Sequence, residues 1–255
     1  MRRPGRTWPS QPPRIDPFTR GAPIMPTYRS GMDMNGARAV VLGATGGFGA
    51  EIARSLVAQG AVLAVHGRNT GRLQAISAEV GGHPVAGDLT EPGVPDAVMD
   101  EAAQALGGLD VVVMSAGAVA FGPVAELEEA VLRQVIELDL VAPILVARAA
   151  TRHVGKDGVI AQVSAVVADQ PMAGLAAYSA AKAGLTAFDT AFRREMRRAG
   201  VRVLDARPPH METGLATRPL AGEPPGLGQG RDPREVADEL VAVIGGSAEL
   251  PDWID

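Results

Sequence analysis

The chain has 255 residues, of which 46% are hydrophobic and 21% charged, with a formal net charge of −5 and no cysteine. The negative charge argues against a nucleic-acid-binding surface, and no apolar run is long enough to span a bilayer. Without cysteine there are no disulfides, thiolate nucleophiles or cysteine-based zinc sites, so we expect a single-domain protein of a reducing compartment, the cytoplasm, with no nucleic-acid or membrane partner.

Residues 1–35 differ in composition from the rest of the chain. They are rich in proline and arginine and show neither a helical nor a strand period of apolar residues. Such a segment cannot bury enough apolar surface to offset the entropy of ordering, so we predict a disordered tail. The alternative is a native start at Met25, Met32 or Met34. In either case residues 36–255 are expected to form one domain.

From Ala37 onward, short apolar runs alternate with helical patterns. Strands are predicted at 38–43, 61–67, 84–87, 110–115, 158–164 and 201–206, and helices at 48–59, 70–80, 95–106, 128–152, 175–199 and 233–244. Strands that are apolar on both faces and alternate with amphipathic helices are typical of a parallel sheet covered by helices. The sequence therefore predicts an α/β fold, a doubly wound Rossmann-type parallel sheet of six or seven strands with helices on both faces.

The turn after the first predicted strand is rich in glycine. The run 41-VLGATGGFGAEIA-53 places Gly43, Gly46, Gly47 and Gly49 between a strand and a helix. Glycine permits a turn with positive φ and lets backbone N–H groups approach a diphosphate, which the helix N-terminus attracts. The pattern predicts a dinucleotide site, with a purely structural turn as the alternative.

The end of the second predicted strand bears on the choice of dinucleotide. A carboxylate here would hydrogen-bond the ribose 2′-hydroxyl of NAD, but 65-VHGRN-69 has Gly67 followed by Arg68 and no acid. A small residue leaves room for a 2′-phosphate, and a guanidinium complements its charge. We expect NADP in preference to NAD; the alternative is a solvated surface arginine.

Tyr178 and Lys182 lie four residues apart in the predicted helix 175–199, so they share one face. The helix follows the fifth predicted strand, at the sheet edge where ligands of such folds bind. A nearby ammonium lowers the pKa of a tyrosine from about 10, which makes Tyr178 a candidate general acid or base. The alternative is an exposed helix pair without chemistry.

In this order, these motifs resemble those of the short-chain dehydrogenase/reductase (SDR) family, in its compact single-domain branch. The resemblance runs from about Arg38 to Gly245. The motifs that carry it are the loop Gly43-x-x-x-Gly47-x-Gly49, Asp88 in 87-GDLT-90, the segment 115-SAG-117, and the pair Tyr178 and Lys182.

The resemblance implies hydride transfer between a nicotinamide ring and an alcohol or carbonyl substrate, by a homodimer or a homotetramer. Tyr178 would pass the proton, Lys182 would lower its pKa and hold the nicotinamide ribose, and a serine would stabilise the substrate oxygen. No metal is expected, since the four histidines show no metal-ligand spacing. The residues implied to contact the cofactor are Gly43, Thr45, Gly46, Gly47, Phe48, Gly49, Arg68, Asp88, Leu89, Ser115, Ala116, Gly117, Tyr178, Lys182, Pro208 and Thr213.

Two catalytic positions depart from the family pattern. The family serine stands thirteen residues before the tyrosine, where this chain has Ala165, and Ser164 lies one residue earlier. Either Ser164 serves through a longer loop, or the oxyanion partner is missing. Where the family has an asparagine in the fourth helix, this chain has Asp139, which cannot donate hydrogen bonds when ionised. We therefore expect an altered proton relay.

Other segments depart as well. Ser115 replaces an asparagine, 208-PPHMET-213 replaces a Pro-Gly turn, and 246-GSAELPDWID-255 stands where the family adds a seventh strand and a glycine-rich tail. These departures support a second hypothesis, a cofactor-binding protein with little or no turnover.

Residues 209–232 lie where the family closes over its substrate. Their proline and glycine content predicts a mobile lid. Met172, Leu175, Met211 and Leu215 are candidates for an apolar pocket. Since no charged anchor stands out in this segment, a neutral alcohol or ketone is expected.

Overall fold

The structure, a computed structural model, describes residues 31–255 and consists of alternating strands and helices. The strands are β1 Arg38–Leu42, β2 Val62–Gly67, β3 His83–Ala86, β4 Leu109–Met114, β5 Val154–Val163 and β6 Arg202–Ala206. The helices are α1 Gly47–Ala58, α2 Thr70–Val80, α3 Val94–Leu106, α4 Glu129–Ile136, α5 Ala142–Ala150, α6 Ala176–Met196 and α7 Pro233–Ile244.

The six strands form one parallel sheet in the order β3-β2-β1-β4-β5-β6. Successive residues of β1, such as Val40 and Val41, are fully buried on opposite faces, because helices cover both sides of the sheet. The predicted doubly wound α/β fold is confirmed. The chain changes direction across the sheet between β1 and β4, so a crevice opens where these two strands end.

One hydrophobic layer lies on each side of the sheet. Ile52 of α1 and Leu240 of α7 pack on one face with Val41. On the other face, Met99 of α3 and Phe192 of α6 pack with Val40. No helix within residues 31–255 is both long and apolar enough to cross a membrane.

The packed part of the chain begins before the predicted domain boundary. Residues 1–30 of the predicted tail lie outside the described residues, whereas residues 31–35 are described. Met34 is 5% exposed and belongs to the same core layer as α7. The predicted tail was recognised by its proline and arginine content. Such composition does not reveal that one methionine at the end of the segment packs in the core.

The C-terminal residues cover the free edge of β6. Asp205 and Asp255 exchange two backbone hydrogen bonds of 3.0 Å, and the Arg207 N–H donates to the Trp253 carbonyl at 2.7 Å. An isolated antiparallel bridge joins Ala206 to Ile254. A seventh strand is therefore not formed within the described residues, and this short segment protects the edge of β6 instead.

The predicted helix 128–152 is interrupted. Between α4 and α5 the segment Glu137–Val141 is π-helical, with one wider turn. Such insertions occur frequently at functional sites because they rotate a side chain out of the regular helical order. Here the inserted turn contains Asp139, which is fully buried.

Helix α6 carries a second buried carboxyl group, away from this turn. Asp189 is 0% exposed and accepts a hydrogen bond of 3.0 Å from the Gln162 amide. Burial, and then the negative charge of Asp205, raise the pKa of Asp189 to about 8. Because the raised value belongs to the folded state, the stabilisation by protonated Asp189 is full below about pH 4 and is lost as the pH rises through 8.

We therefore predict that Asp189→Asn flattens the loss of stability between pH 5 and pH 8. The wild-type protein should lose on the order of 3 kcal/mol of unfolding free energy over this interval relative to the variant. Urea unfolding at both pH values measures the difference. Asp252→Asn, at an exposed aspartate, is the matched control and should follow the wild-type curve. Identical pH dependence in the wild type and Asp189→Asn would contradict the assignment.

Candidate active site

A cleft of about 480 Å³ opens at the carboxyl ends of the central strands. Every predicted catalytic or cofactor-binding residue lines it except Asp88 and Asp139. Asp139 is buried behind the Gly117 turn, and Asp88 lies outside the cleft, beside Arg68. The structure therefore brings together segments that are far apart in sequence along one continuous groove.

The glycine loop forms one end of this groove. Gly43 has φ +85°, and a Cβ atom there would lie 2.6 Å from the Ala116 backbone nitrogen. The glycine thus permits the turns after β1 and β4 to touch. Helix α1 begins just beyond, and its N-cap residue, Gly46, provides no side-chain cap. The first N–H groups of α1 are therefore available to a diphosphate, and the cradle fits a dinucleotide.

The residues after β2 lie beside the loop. Arg68 forms an ion pair of 3.4 Å with Asp88, and both side chains are partly exposed. Burial opposes ionisation of Asp88, but hydrogen bonds from Thr90 and the charge of Arg68 lower its pKa overall. A Cβ atom on Gly67 would lie 2.4 Å from the Thr45 side chain, so the small residue is required by packing as well.

Arg72 is a lining residue that the sequence reasoning missed. It lies in the first turn of α2, where its N–H donates to the Asn69 N-cap oxygen at 2.9 Å. Its guanidinium forms no ion pair within residues 31–255, and it lines the same end of the groove as Arg68. The available signal was its position, because Arg72 lies in the first turn of the helix that directly follows Gly67 and Arg68.

Tyr178 and Lys182 form the opposite end of the groove. The Lys182 ammonium lies 5.6 Å from the centre of the Tyr178 ring and donates to the Val163 carbonyl at 2.9 Å. It also lies 3.2 Å from a carboxyl oxygen of Asp139. The two predicted catalytic residues are thus adjacent, on one face of α6.

The electrostatics of this pair differ from the sequence-based expectation. Burial raises the pKa of Tyr178, and the negative charge of Asp139 raises it further. The direction is opposite to the one expected from Lys182 acting alone. Burial also raises the pKa of Asp139, while Lys182 and the Ala118 N–H oppose this rise.

Ser164 is held on the β6 side of the cleft wall. Its hydroxyl donates to Asp205 at 2.5 Å and is buried. Within the described residues no hydrogen bond joins it to Tyr178. Ala165, at the family's serine position, presents only a methyl group. This geometry favours the alternative in which the oxyanion partner is missing.

The end of the cleft formed by residues 209–232 and the loop after β4 is mainly apolar. The predicted lid, residues 209–232, is hydrogen-bonded to the loop after β4: the Leu220 N–H donates to the Val119 carbonyl at 2.8 Å, and the Phe121 N–H donates to the Ala221 carbonyl at 2.9 Å. Arg218 also lines this end, with its Nε donating to a lid carbonyl. A charged group is therefore present where none was expected. The predicted apolar candidates all line the cleft: Met172, Leu175, Met211 and Leu215.

Metal binding finds no support in the described part of the chain. Across residues 31–255, no group of three or more histidine, aspartate or glutamate side chains lies together in a way that would hold an ion.

Comparison with known proteins shows a clear family relationship. The short chain dehydrogenase family profile matches residues 37–223. A cis-4-hydroxycyclohexanecarboxylate dehydrogenase from Sinomonas cyclohexanicum is 33% identical over 226 residues, 83% of this chain and 90% of that protein. A 3-oxoacyl-(acyl-carrier-protein) reductase from Vibrio cholerae is 32% identical over 222 residues, 82% of this chain and 90% of that protein.

Solved structures show the same relationship. A short chain dehydrogenase from Burkholderia cenocepacia in complex with NADP superposes with a TM-score of 0.76 at 27% identity, covering 84% of this chain and 92% of that chain. A dehydrogenase/reductase from Sinorhizobium meliloti superposes with a TM-score of 0.74 at 29% identity, covering 84% and 90%.

The close approach of Gly43 to Ala116 can be tested by substitution. Gly43→Ala should lower the unfolding free energy by about 3 kcal/mol, because the strained φ and the collision with Ala116 add together. Gly81→Ala is the matched control, since Gly81 also has positive φ, +65°, but has nothing within 4 Å of its Cβ position. It should cost only about 1 kcal/mol. Equal losses in urea unfolding would show that the turns do not need this close contact.

Proposed function

Because the chain belongs to the short-chain dehydrogenase/reductase family, we propose that it is an NADP-dependent oxidoreductase that interconverts an alcohol and a carbonyl compound. The observation that carries the proposal is the pairing of Tyr178 and Lys182 at one end of a groove whose other end is the glycine loop. Arg68, Arg72 and the glycine loop would hold the adenine-side half of a dinucleotide, and Tyr178 and Lys182 its nicotinamide half.

The residues of this chain would position the bound molecules and transfer the proton. Tyr178 gives a proton to the substrate oxygen in reduction, or takes one in oxidation. Lys182, fixed by the Val163 carbonyl and lying beside the Tyr178 ring, would bind the nicotinamide ribose. Thr213 would hold the nicotinamide carboxamide. The bound dinucleotide supplies or accepts the hydride.

Two arginines support the preference for NADP. Arg68 and Arg72 line the same end of the cleft, and Arg72 has no acidic partner within the described residues. A 2′-phosphate carries two negative charges near neutral pH and would be bound by both guanidinium groups. The related Burkholderia cenocepacia structure is a complex with NADP, which agrees with this preference.

We predict that Arg68→Ala and Arg72→Ala each weaken NADPH binding about tenfold to a hundredfold, the loss expected for one charge-assisted contact. NADH binding should remain nearly unchanged, because NADH lacks the phosphate. Titration by nicotinamide fluorescence measures both constants without a substrate. Arg148→Ala, at an exposed arginine of α5, is the control. Equal losses for the two cofactors would refute a 2′-phosphate site.

The substrate proposed is a secondary alcohol or ketone with an apolar body. The lining by Met172, Leu175 and Leu215 favours such a body. The Sinomonas cyclohexanicum and Vibrio cholerae relatives are named for a hydroxycyclohexanecarboxylate and a 3-oxoacyl-(acyl-carrier-protein), one a hydroxy compound and the other an oxo compound. Assembly as a homodimer or homotetramer stays a prediction.

Tyr178→Phe should reduce turnover by about 10²- to 10⁴-fold, the contribution of a positioned general acid. NADPH binding should persist, since the ring remains in place. The loss is measured as NADPH oxidation with a panel of apolar ketones. Tyr28→Phe removes the other tyrosine of the chain and is the matched control. Full turnover by Tyr178→Phe would exclude the proposed acid.

A second candidate function is cofactor binding with little or no turnover. The specific observation in its favour is the engagement of the Ser164 hydroxyl by Asp205, which leaves Ala165 at the oxyanion position. Under this alternative, NADPH binds tightly while no carbonyl compound in the panel is reduced by the wild-type protein. Measurable, Tyr178-dependent turnover would eliminate it.

A further inference from the structure

Asp139 changes the balance of charge around the proposed proton donor. We infer that Asp139 neutralises Lys182 in a buried pair and so holds Tyr178 in its protonated form, which suits the site to carbonyl reduction at neutral pH and confines alcohol oxidation to alkaline pH. This inference rests on the proposed function, since it names the direction in which the same site works.

The pair formed by Asp139 and Lys182 is buried. Asp139 and Lys182 side chains are 0% and 3% exposed, and the carboxyl oxygen lies 3.2 Å from the ammonium. The Ala118 N–H donates to both carboxyl oxygens, at 3.3 and 3.2 Å. A Cβ atom on Gly117 would lie 2.7 Å from the carboxyl oxygen, so the turn has no side chain that would screen the pair.

The fold places Asp139 at this point through the π-helical turn. The segment Glu137–Val141 lies between α4 and α5 and packs against α6, which carries both Tyr178 and Lys182. The wider turn buries Asp139 completely. The carboxyl group is thus a fixed part of the site rather than a mobile surface acid.

The charged and titratable groups that face Lys182 can be named element by element. The π-helical turn contributes Asp139, α6 contributes Tyr178 and, farther away, Asp189, and β5 contributes only the Val163 carbonyl. The loop after β4 contributes the Ala118 N–H. Burial raises the pKa of Asp139, but Lys182 and the Ala118 N–H favour its ionised form, so Asp139 is a carboxylate at the alkaline pH at which a phenol titrates. In that range the single positive charge is opposed by a carboxylate in direct contact, and little of it remains to stabilise a phenolate.

This charge balance decides which protonation state of Tyr178 is populated. In reduction, the carbonyl carbon would gain a hydride whose C–H bond to reduced nicotinamide breaks, the carbonyl π electrons would move to oxygen, and that oxygen would take the phenol proton, which solvent then replaces. The protonated form is needed at the start. Oxidation needs the phenolate at the start, so its rate rises only as the pH approaches the raised pKa of Tyr178.

The test uses the small number of tyrosines. The chain has two, so Tyr28→Phe leaves Tyr178 as the sole source of phenolate absorbance. In this background we expect no phenolate signal up to the pH at which circular dichroism shows unfolding. Adding Asp139→Asn should bring the titration at least one pH unit below unfolding, because the isosteric amide leaves Lys182 uncompensated.

Two further variants complete the design. Asp189→Asn in the same background replaces another buried aspartate of this region and should leave the Tyr178 signal as in the parent. Asp139→Ala should shift the titration in the same direction as Asp139→Asn, and it serves if the amide variant does not fold. In the pH–rate profile, Asp139→Asn should move the rise of alcohol oxidation to lower pH by the same interval as the optical titration.

The outcomes separate this inference from the proposed function. An ordinary tyrosine titration in the parent background, or the absence of any change on removal of Asp139, would overturn the inference. The optical experiment needs neither cofactor nor substrate, so it does not depend on the catalytic activity of the protein. Loss of the proposed function would appear instead as turnover that survives Tyr178→Phe.

Discussion

The cleft depends on the contact between the turns that follow β1 and β4. β1 and β4 are neighbours in the sheet, but the chain that follows them continues in opposite directions across it. The crevice between their ends therefore exists only if both turns stay narrow. Gly43 allows this, because even one methyl group there would collide with the Ala116 backbone. The same turn leads into α1 and sets the position of its free N–H groups. Fold and ligand site therefore share one steric constraint.

Periodicity and glycine spacing were sufficient to predict the parallel sheet and the order of its strands and helices along the chain. These features are local, since a strand buried on both faces or a positive-φ turn leaves a direct mark on composition. What escaped prediction depends on tertiary partners. The π-helical turn at Asp139 has the same apolar pattern as a regular helix. The Ser164 hydroxyl points to Asp205, which lies on another strand, 41 residues later in the chain.

Several buried charged or ionisable groups gather around α6, and they are not equally compensated. Asp139 and Lys182 neutralise each other, whereas within residues 31–255 the direct partner of Asp189 is an amide, and Asp189 lies near a second acid, Asp205. Such groups lower the stability of a core unless they are paired or protonated. Lys182 lines the cleft and Asp139 lies directly behind it, which indicates that this part of the helix is shaped by the demands of the site as well as by packing.

The covered edge of β6 has a consequence for how the cleft is supported. Trp253, whose carbonyl accepts a hydrogen bond from Arg207 just after β6, also donates its indole N–H to Glu239 at 3.1 Å. Glu239 in turn binds Arg231, whose backbone N–H holds His210 at the base of the lid. One carboxylate thus anchors both the sheet edge and the lid. If the last residues detached, an unpaired strand would be open to intermolecular pairing, and the lid would lose a support at the same moment.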